Sequence, residues 1–245
     1  RSCTLGNLFC YELRRLLNSK LLVGILLICL GYGWLTLTHV TVQGVANTAP
    51  FSPWSFGHYL SRLLPFLCSG ELLLIAHFHF SQERRVRAIT GATPINRKQY
   101  AALRILAVSL GTLLLYLAVL ALCVGFYAFT FGETSLGSLV CPALLTLLPA
   151  WLFCLGAGWS LGARCSALLY GLMAGVFLLS WLPLPQALDF CLGDFFSQYP
   201  LILEVLDPAF TCPAPVLWGR LLWSAVGILL LLWSWVTSSS HTQKS

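Results

Sequence analysis

The stretch "LLVGILLICLGYGWLTLTHV", residues 21–40, holds twenty residues and no Asp, Glu, Lys or Arg. A membrane-crossing helix needs about 20 consecutive apolar residues at 1.5 Å rise each. The rest of the chain is of the same kind. Charged residues make up 9% of it, hydrophobic ones 58%, and mean hydropathy is +0.83. Soluble domains carry about 25% charged residues, because a globule needs polar surface to face water. The chain therefore reads as an integral membrane protein.

Six segments are long and apolar enough to span: about 21–40, 57–80, 99–131, 139–163, 166–183 and 216–236. The third is over-long, so it tilts or projects into water, and the fifth is short. In hydrocarbon every backbone N–H and C=O must be paired internally, which leaves helices or closed barrels. These runs lack the apolar/polar alternation of barrel strands, so the expected fold is an all-α polytopic bundle forming a single domain, 1–245. The first apolar run is long enough to span, so no cleavable signal peptide is expected.

Basic residues set the expected orientation. Arg1, Arg14, Arg15, Lys20, Arg84, Arg85, Arg87, Arg97, Lys98, Arg104, Arg164 and Lys244 all fall on one side of the six spans. The connections near 41–56, 132–138 and 184–215 contain no Lys or Arg, but hold Glu133, Asp189, Asp194, Glu204 and Asp207. Both termini are then cytoplasmic in a multi-pass protein of the cell membrane. The net charge of +6 is a topology signal. It implies no nucleic-acid partner, because the basic residues hug membrane boundaries and form no basic domain.

Within residues 1–20, Leu5, Leu8, Phe9, Leu13, Leu16 and Leu17 share one arc of a helical wheel, opposite Asn7, Tyr11, Arg14 and Asn18. That is the pattern of an amphipathic helix lying on the membrane lipid. Glu12 interrupts the arc. Its position suits a pair with Arg15 at i+3 or a contact with a cytoplasmic partner. Gly158 and Gly162 precede a tight turn and Gly171 and Gly175 follow it, which points to an antiparallel hairpin packed glycine on glycine or to a subunit interface. The segment 184–215 is too apolar for a solvated loop and too charged for a span, which points to a partly re-entrant outer segment.

Two charges inside apolar runs are candidate path residues. Glu71 sits mid-span, where a carboxylate costs about 2.5–3.5 kcal/mol on insertion scales, so it lines a translocation path or holds helices together. Arg62 lies nine residues earlier, on the opposite helical face, and reads as snorkelling outward or meeting an outer acid; Arg220 has the same two options. His77 and His79 read as interfacial residues. Of the ten Cys, Cys29, Cys68, Cys123 and Cys154 lie in apolar runs as small hydrophobes. No C-x-x-C or Cys/His cluster suggests a metal. Cys191 and Cys212 are a candidate outer disulfide pair.

The stretch "FSQERRVRAITGATPINRKQY", residues 80–100, concentrates charge between the second and third spans. Gly91 breaks one helix there, and Thr93-Pro94 starts another, Thr as cap and Pro in the first turn. The order Glu83, Arg84, Arg85, Gly91, Thr93, Pro94, Asn96, Arg97 resembles the type-2 ATP-binding-cassette permease family. So do an amphipathic N-terminal helix, six spans and a long apolar outer segment before the last span. Arg104 stands where many members carry Lys. The resemblance implies that 81–98 is a cytoplasmic coupling segment and that Glu83, Arg84, Arg85, Arg87, Gly91, Thr93, Pro94, Asn96 and Arg97 dock on an ATPase subunit. It also implies a second permease copy or paralogue, and export of an antimicrobial peptide or amphipathic compound.

The chain has three Lys, and none closes a G-x-x-x-x-G-K-[ST] loop. ATP and Mg are therefore expected on the partner ATPase, with no cofactor bound here and no catalytic residue. The competing readings are a non-transporting scaffold or degenerate permease partner, and an intramembrane enzyme. The last lacks G-x-S-x-G and H-E-x-x-H motifs and any paired group for Glu71.

Overall fold

Ser52 and Pro53 open the helix on which the others pack. The Ser52 hydroxyl accepts from the Ser55 N–H at 3.2 Å, and Pro53, which has no N–H to satisfy, takes the first helical position. The computed structural model describes residues 5–79, 97–132, 137–186 and 188–240. Among them the helices are α1 (Leu5–Leu17), α2 (Lys20–His39), α3 (Pro53–His79), α4 (Arg97–Phe131), α5 (Gly137–Arg164), α6 (Ala167–Leu179), α7 (Gly193–Ile202) and α8 (Ala214–Ser240). Five of these, α2, α3, α4, α5 and α8, are long and apolar enough to cross a membrane. The chain is a multi-pass helical membrane protein.

The five long helices are not equivalent. In its span α3 is 78% buried, against 22% for α8, so α3 is the axis of the bundle. It touches α2, α4, α5, α6 and α7. Small residues permit the close approaches that van der Waals packing in lipid requires. A Cβ on Gly70 would lie 2.7 Å from Ile25 of α2, and one on Gly158 of α5 would lie 2.8 Å from both Leu72 and Ile75 of α3.

The expected glycine-on-glycine hairpin does not form. Gly171 and Gly175 have open space where a side chain would go, and α6 packs on α3 more than on α5. The glycines that meet are Gly156 of α5 and Gly227 of α8, close enough that a Cβ on either would overlap the other helix's backbone. Ser160 donates to the Leu230 carbonyl at 2.8 Å, and the rings of Phe153 and Trp223 lie 4.9 Å apart. Contacts at 153/223, 156/227 and 160/230 advance together, so α5 and α8 are parallel.

The chain between two parallel helices must return along the bundle, and α6 is the helix on which it does so. Leu169 lies by Gly158, and Phe177 reaches Phe66, ring centroids 5.3 Å apart. The helix is shorter than the expected 166–183: thirteen residues, about 20 Å at 1.5 Å per residue. By contrast α4, with 35 residues, runs about 52 Å and overshoots a hydrocarbon core of about 30 Å. The bundle ends differ in charge. Arg14, Arg15, Lys20, Arg104 and Arg164 stand at one end with Glu12, and Asp189, Asp194, Glu204 and Asp207 at the other with Arg220.

Candidate functional site

At the basic end, α1 lies against α4. Leu16 is fully buried, seated where Gly111 leaves room, at 2.7 Å from the position of a Cβ. Tyr11 and Arg14 face outward, as the amphipathic pattern requires; Leu17 departs from it, at 39% exposure. Glu12 is buried within the apolar face. It pairs with Arg15 at 3.7 Å and also accepts from the Tyr100 hydroxyl at 2.8 Å. The same hydroxyl accepts from Arg104 Nη2 at 2.8 Å.

Arg104 is the hub of this network. It is only 2% exposed, its guanidinium lies 4.4 Å from the Tyr100 ring centroid and 5.5 Å from that of Phe78, and Nη1 donates to the Phe78 carbonyl at 3.4 Å. A cation over two aromatic faces, bonded to a hydroxyl that itself serves a carboxylate, compensates its own desolvation. The network joins α1, the end of α3 and the start of α4. Glu83, Arg84, Arg85, Arg87, Gly91, Thr93, Pro94 and Asn96 lie outside the described residues; Arg97 opens α4.

Tyr100→Phe tests the network. It removes one hydroxyl that accepts from Arg104 and donates to Glu12, leaving both partners short in a buried place. The expected cost is about 1–3 kcal/mol, read as a lower unfolding temperature in detergent. Tyr11→Phe, at an exposed position on α1, should leave the melt unchanged. Equal melts for Tyr100→Phe and the parent chain would mean that the three groups do not act together.

Glu71 is fully buried at the centre of α3. The Tyr116 hydroxyl of α4 donates to its Oε2 at 3.5 Å, a long contact, and among the described residues Oε1 has no hydrogen-bond partner. The thiols of Cys68 and Cys154 lie beside it. The carboxyl thus meets groups from α3, α4 and α5, an interhelical polar cluster. Arg62, on the same helix, is exposed, so the two candidate path residues are not brought together. Among the described residues no three His, Cys, Asp or Glu side chains converge in metal-binding geometry.

At the acidic end the segment 189–213 folds back on the bundle. Gly193, at the start of α7, lies 4.0 Å from Ser61 Oγ by the position of its Cβ, and Phe196 fills the notch that Gly57 leaves. Trp54 stacks among Phe195, Phe196, Tyr199 and Phe210, centroids 4.9–6.4 Å away, and its indole donates to the Pro208 carbonyl at 2.8 Å. Beside this aromatic cap is a cavity of about 310 Å³ lined by Ala46, Asn47, Leu201, Glu204, Val205 and Leu206 among others. Arg220 is 3% exposed and donates to the carbonyls of Asp189 and Phe190. Burial pushes the Asp189 carboxyl above its ordinary range, against the opposing pull of the Leu192 N–H and Arg220.

The chain matches no protein-family model, no curated protein and no solved structure. Sequence reasoning took Arg104 for an ordinary interfacial charge. The signal available was its i, i+4 spacing from Tyr100, which puts both on one face of α4. Nothing in the sequence marks Tyr116 as the partner of Glu71, since both stand among apolar residues.

Proposed function

We propose that the chain is the permease subunit of an ATP-binding-cassette exporter in the cell membrane, working with a separate ATPase and a second permease copy or paralogue. The observation that carries this is the clamp at the basic end. The segment 80–96 leaves from α3, the most buried helix, and returns through α4. Glu12, Tyr100, Arg104 and the Phe78 carbonyl tie those two helix ends to each other and to α1. A push on the segment would reach the axis of the bundle through this frame.

In this reading the basic end is cytoplasmic, as the positive-inside rule requires. There are six crossings. The five long helices supply five, and the short segment 166–183, built on α6, supplies the sixth, a reading that the parallel course of α5 and α8 supports. The outer segment 184–215 is partly re-entrant, with α7 lying along the outer part of α3. Glu83 and Arg97, with the basic and turn residues between them, dock on the ATPase, which holds ATP and Mg. The outer cavity sets one carboxylate, Glu204, and the Asn47 amide among Leu201, Val205 and Leu206, a mixed polar and apolar wall whose chemistry suits an amphipathic cation such as an antimicrobial peptide.

The test is co-purification with the candidate ATPase and measurement of its ATP hydrolysis. Glu83→Arg and Arg97→Glu should each lower permease-stimulated hydrolysis about tenfold, the equivalent of about 1.4 kcal/mol of lost docking. Unchanged docking and hydrolysis in both variants would remove the assignment. Co-elution without any stimulation would favour a non-transporting permease partner.

A further inference from the structure

Two parallel helices in contact hold a constant sequence offset. Between α5 and α8 the pairs are Phe153 with Trp223, Gly156 with Gly227, and Ser160 with Leu230, offsets of 70 or 71 residues. Carried toward the acidic end, the same offset pairs Leu145 with Val216, and both belong to the cluster around Trp54, which also takes in Cys212. One turn before Leu145 stands Cys141, and two residues before α8 begins stands Cys212, so both lie at the same end of this contact. The two sulfurs lie within electrostatic reach of each other. Both are free thiols; Cys141 is exposed and Cys212 half-buried. Cys191, the partner suggested for Cys212 by position in the chain, is buried instead against Asp189, Arg220 and Cys154.

The local chain leaves both residues room to adjust. Cys212 precedes the first turn of α8, in non-helical backbone before Pro213. Cys141 stands in the second turn of α5, just before Pro142, which has no N–H to give to the turn below.

We propose that Cys141 and Cys212 form a disulfide that ties the outer end of α5 to the chain entering α8, made by exchange with an extracytoplasmic protein disulfide. The proposal rests on the orientation given under Proposed function. The exposed Cys141 attacks first, as thiolate, on one sulfur of the oxidant's disulfide. A mixed disulfide forms and one oxidant thiolate leaves. Cys212 then loses its proton, its sulfur attacks that of Cys141, and the second oxidant thiolate leaves. Two cysteine thiols become one disulfide, and their two protons and two electrons pass to the oxidant, whose two leaving thiolates end as a dithiol. The bond makes α5, α8 and the segment between Asp189 and Pro213 one rigid unit.

The experiment uses the full chain in membranes of a host with extracytoplasmic disulfide formation. Thiols are blocked with N-ethylmaleimide under denaturation, the sample is reduced, and newly exposed thiols are tagged with a polymer-linked maleimide. The parent chain and Cys191→Ser should each gain two tags, and Cys141→Ser and Cys212→Ser none. Two tags on Cys141→Ser with none on Cys191→Ser would give the bond to Cys191 and overturn the proposal. For orientation, a membrane-impermeant maleimide is applied to intact cells carrying Cys212→Ser, against the double variant lacking Cys141 as well. An untagged parent chain with Cys141 labelled from outside overturns the bond alone. An untagged parent chain labelled only after permeabilisation overturns the orientation and the bond with it.

Discussion

Gly227→Ala should all but abolish the folded protein. A methyl group there would stand 2.6 Å from the Phe153 amide nitrogen and overlap the Leu152 carbonyl. Overpacking in a core costs about 1–3 kcal/mol when neighbouring side chains can yield. Here the obstacle is the backbone of another helix, so the helices must separate, and the Ser160–Leu230 hydrogen bond and the Phe153–Trp223–Phe190 ring contacts separate with them. We expect a loss above about 3 kcal/mol, beyond that yielding-core range, read as failure to recover monodisperse protein in detergent. Gly156→Ala should behave in the same way from the opposite side. Gly171→Ala and Gly175→Ala face open space and should be neutral or slightly stabilising, since Ala is the better helix former by about 1 kcal/mol. A normal melt for Gly227→Ala would show that α5 and α8 do not cross there.

That contrast shows which parts of the fold were legible in the sequence. Long apolar runs fixed the long helices to within a few residues, because hydrocarbon permits little else for a continuous apolar backbone. The amphipathic α1 was legible for a related reason: period and charge describe a helix with lipid or protein on one side only. Pairing between helices was not. G-x-x-x-G marks a surface that permits close approach without naming the partner, and the glycines that meet, Gly156 and Gly227, stand 71 residues apart. The polar contacts divide in the same way. Glu12 with Arg15 could be read from local spacing, whereas Tyr100 and Arg104 reach Glu12 only once α1 is laid on α4. Of the proposed docking residues only Arg97 is among those described, at the start of α4.

Arg220→Leu is the second variant expected to have a large effect. Asp189 and Phe190 lie in a turn outside any helix, so their carbonyls have no ladder partner, and Arg220 supplies both with N–H donors. Leucine leaves two buried acceptors unsatisfied at about 1–3 kcal/mol each and removes the cation beside the buried Asp189 carboxyl. We expect a total loss of about 3 kcal/mol or more by that accounting. Arg220→Lys should rescue little, because one ammonium cannot reproduce the fork that serves two carbonyls. Asp189→Asn separates the charge from the geometry. Asp189 Oδ1 accepts from the Cys191 and Leu192 N–H groups at 3.0 and 2.9 Å and so holds Leu192 at φ +60°, in the left-handed region. An amide oxygen can keep both bonds. The sign of the pH effect follows from burial. A carboxyl whose folded pKa is raised contributes stability that is full below its unfolded value, about 3.9, and is lost as pH rises through the folded value. Lowering the pH from neutral toward that value should therefore stabilise the parent chain more than Asp189→Asn. If the parent chain instead gains stability relative to Asp189→Asn as pH rises, the Arg220 charge outweighs burial, and the loss in Arg220→Leu is then chiefly that of an ion pair.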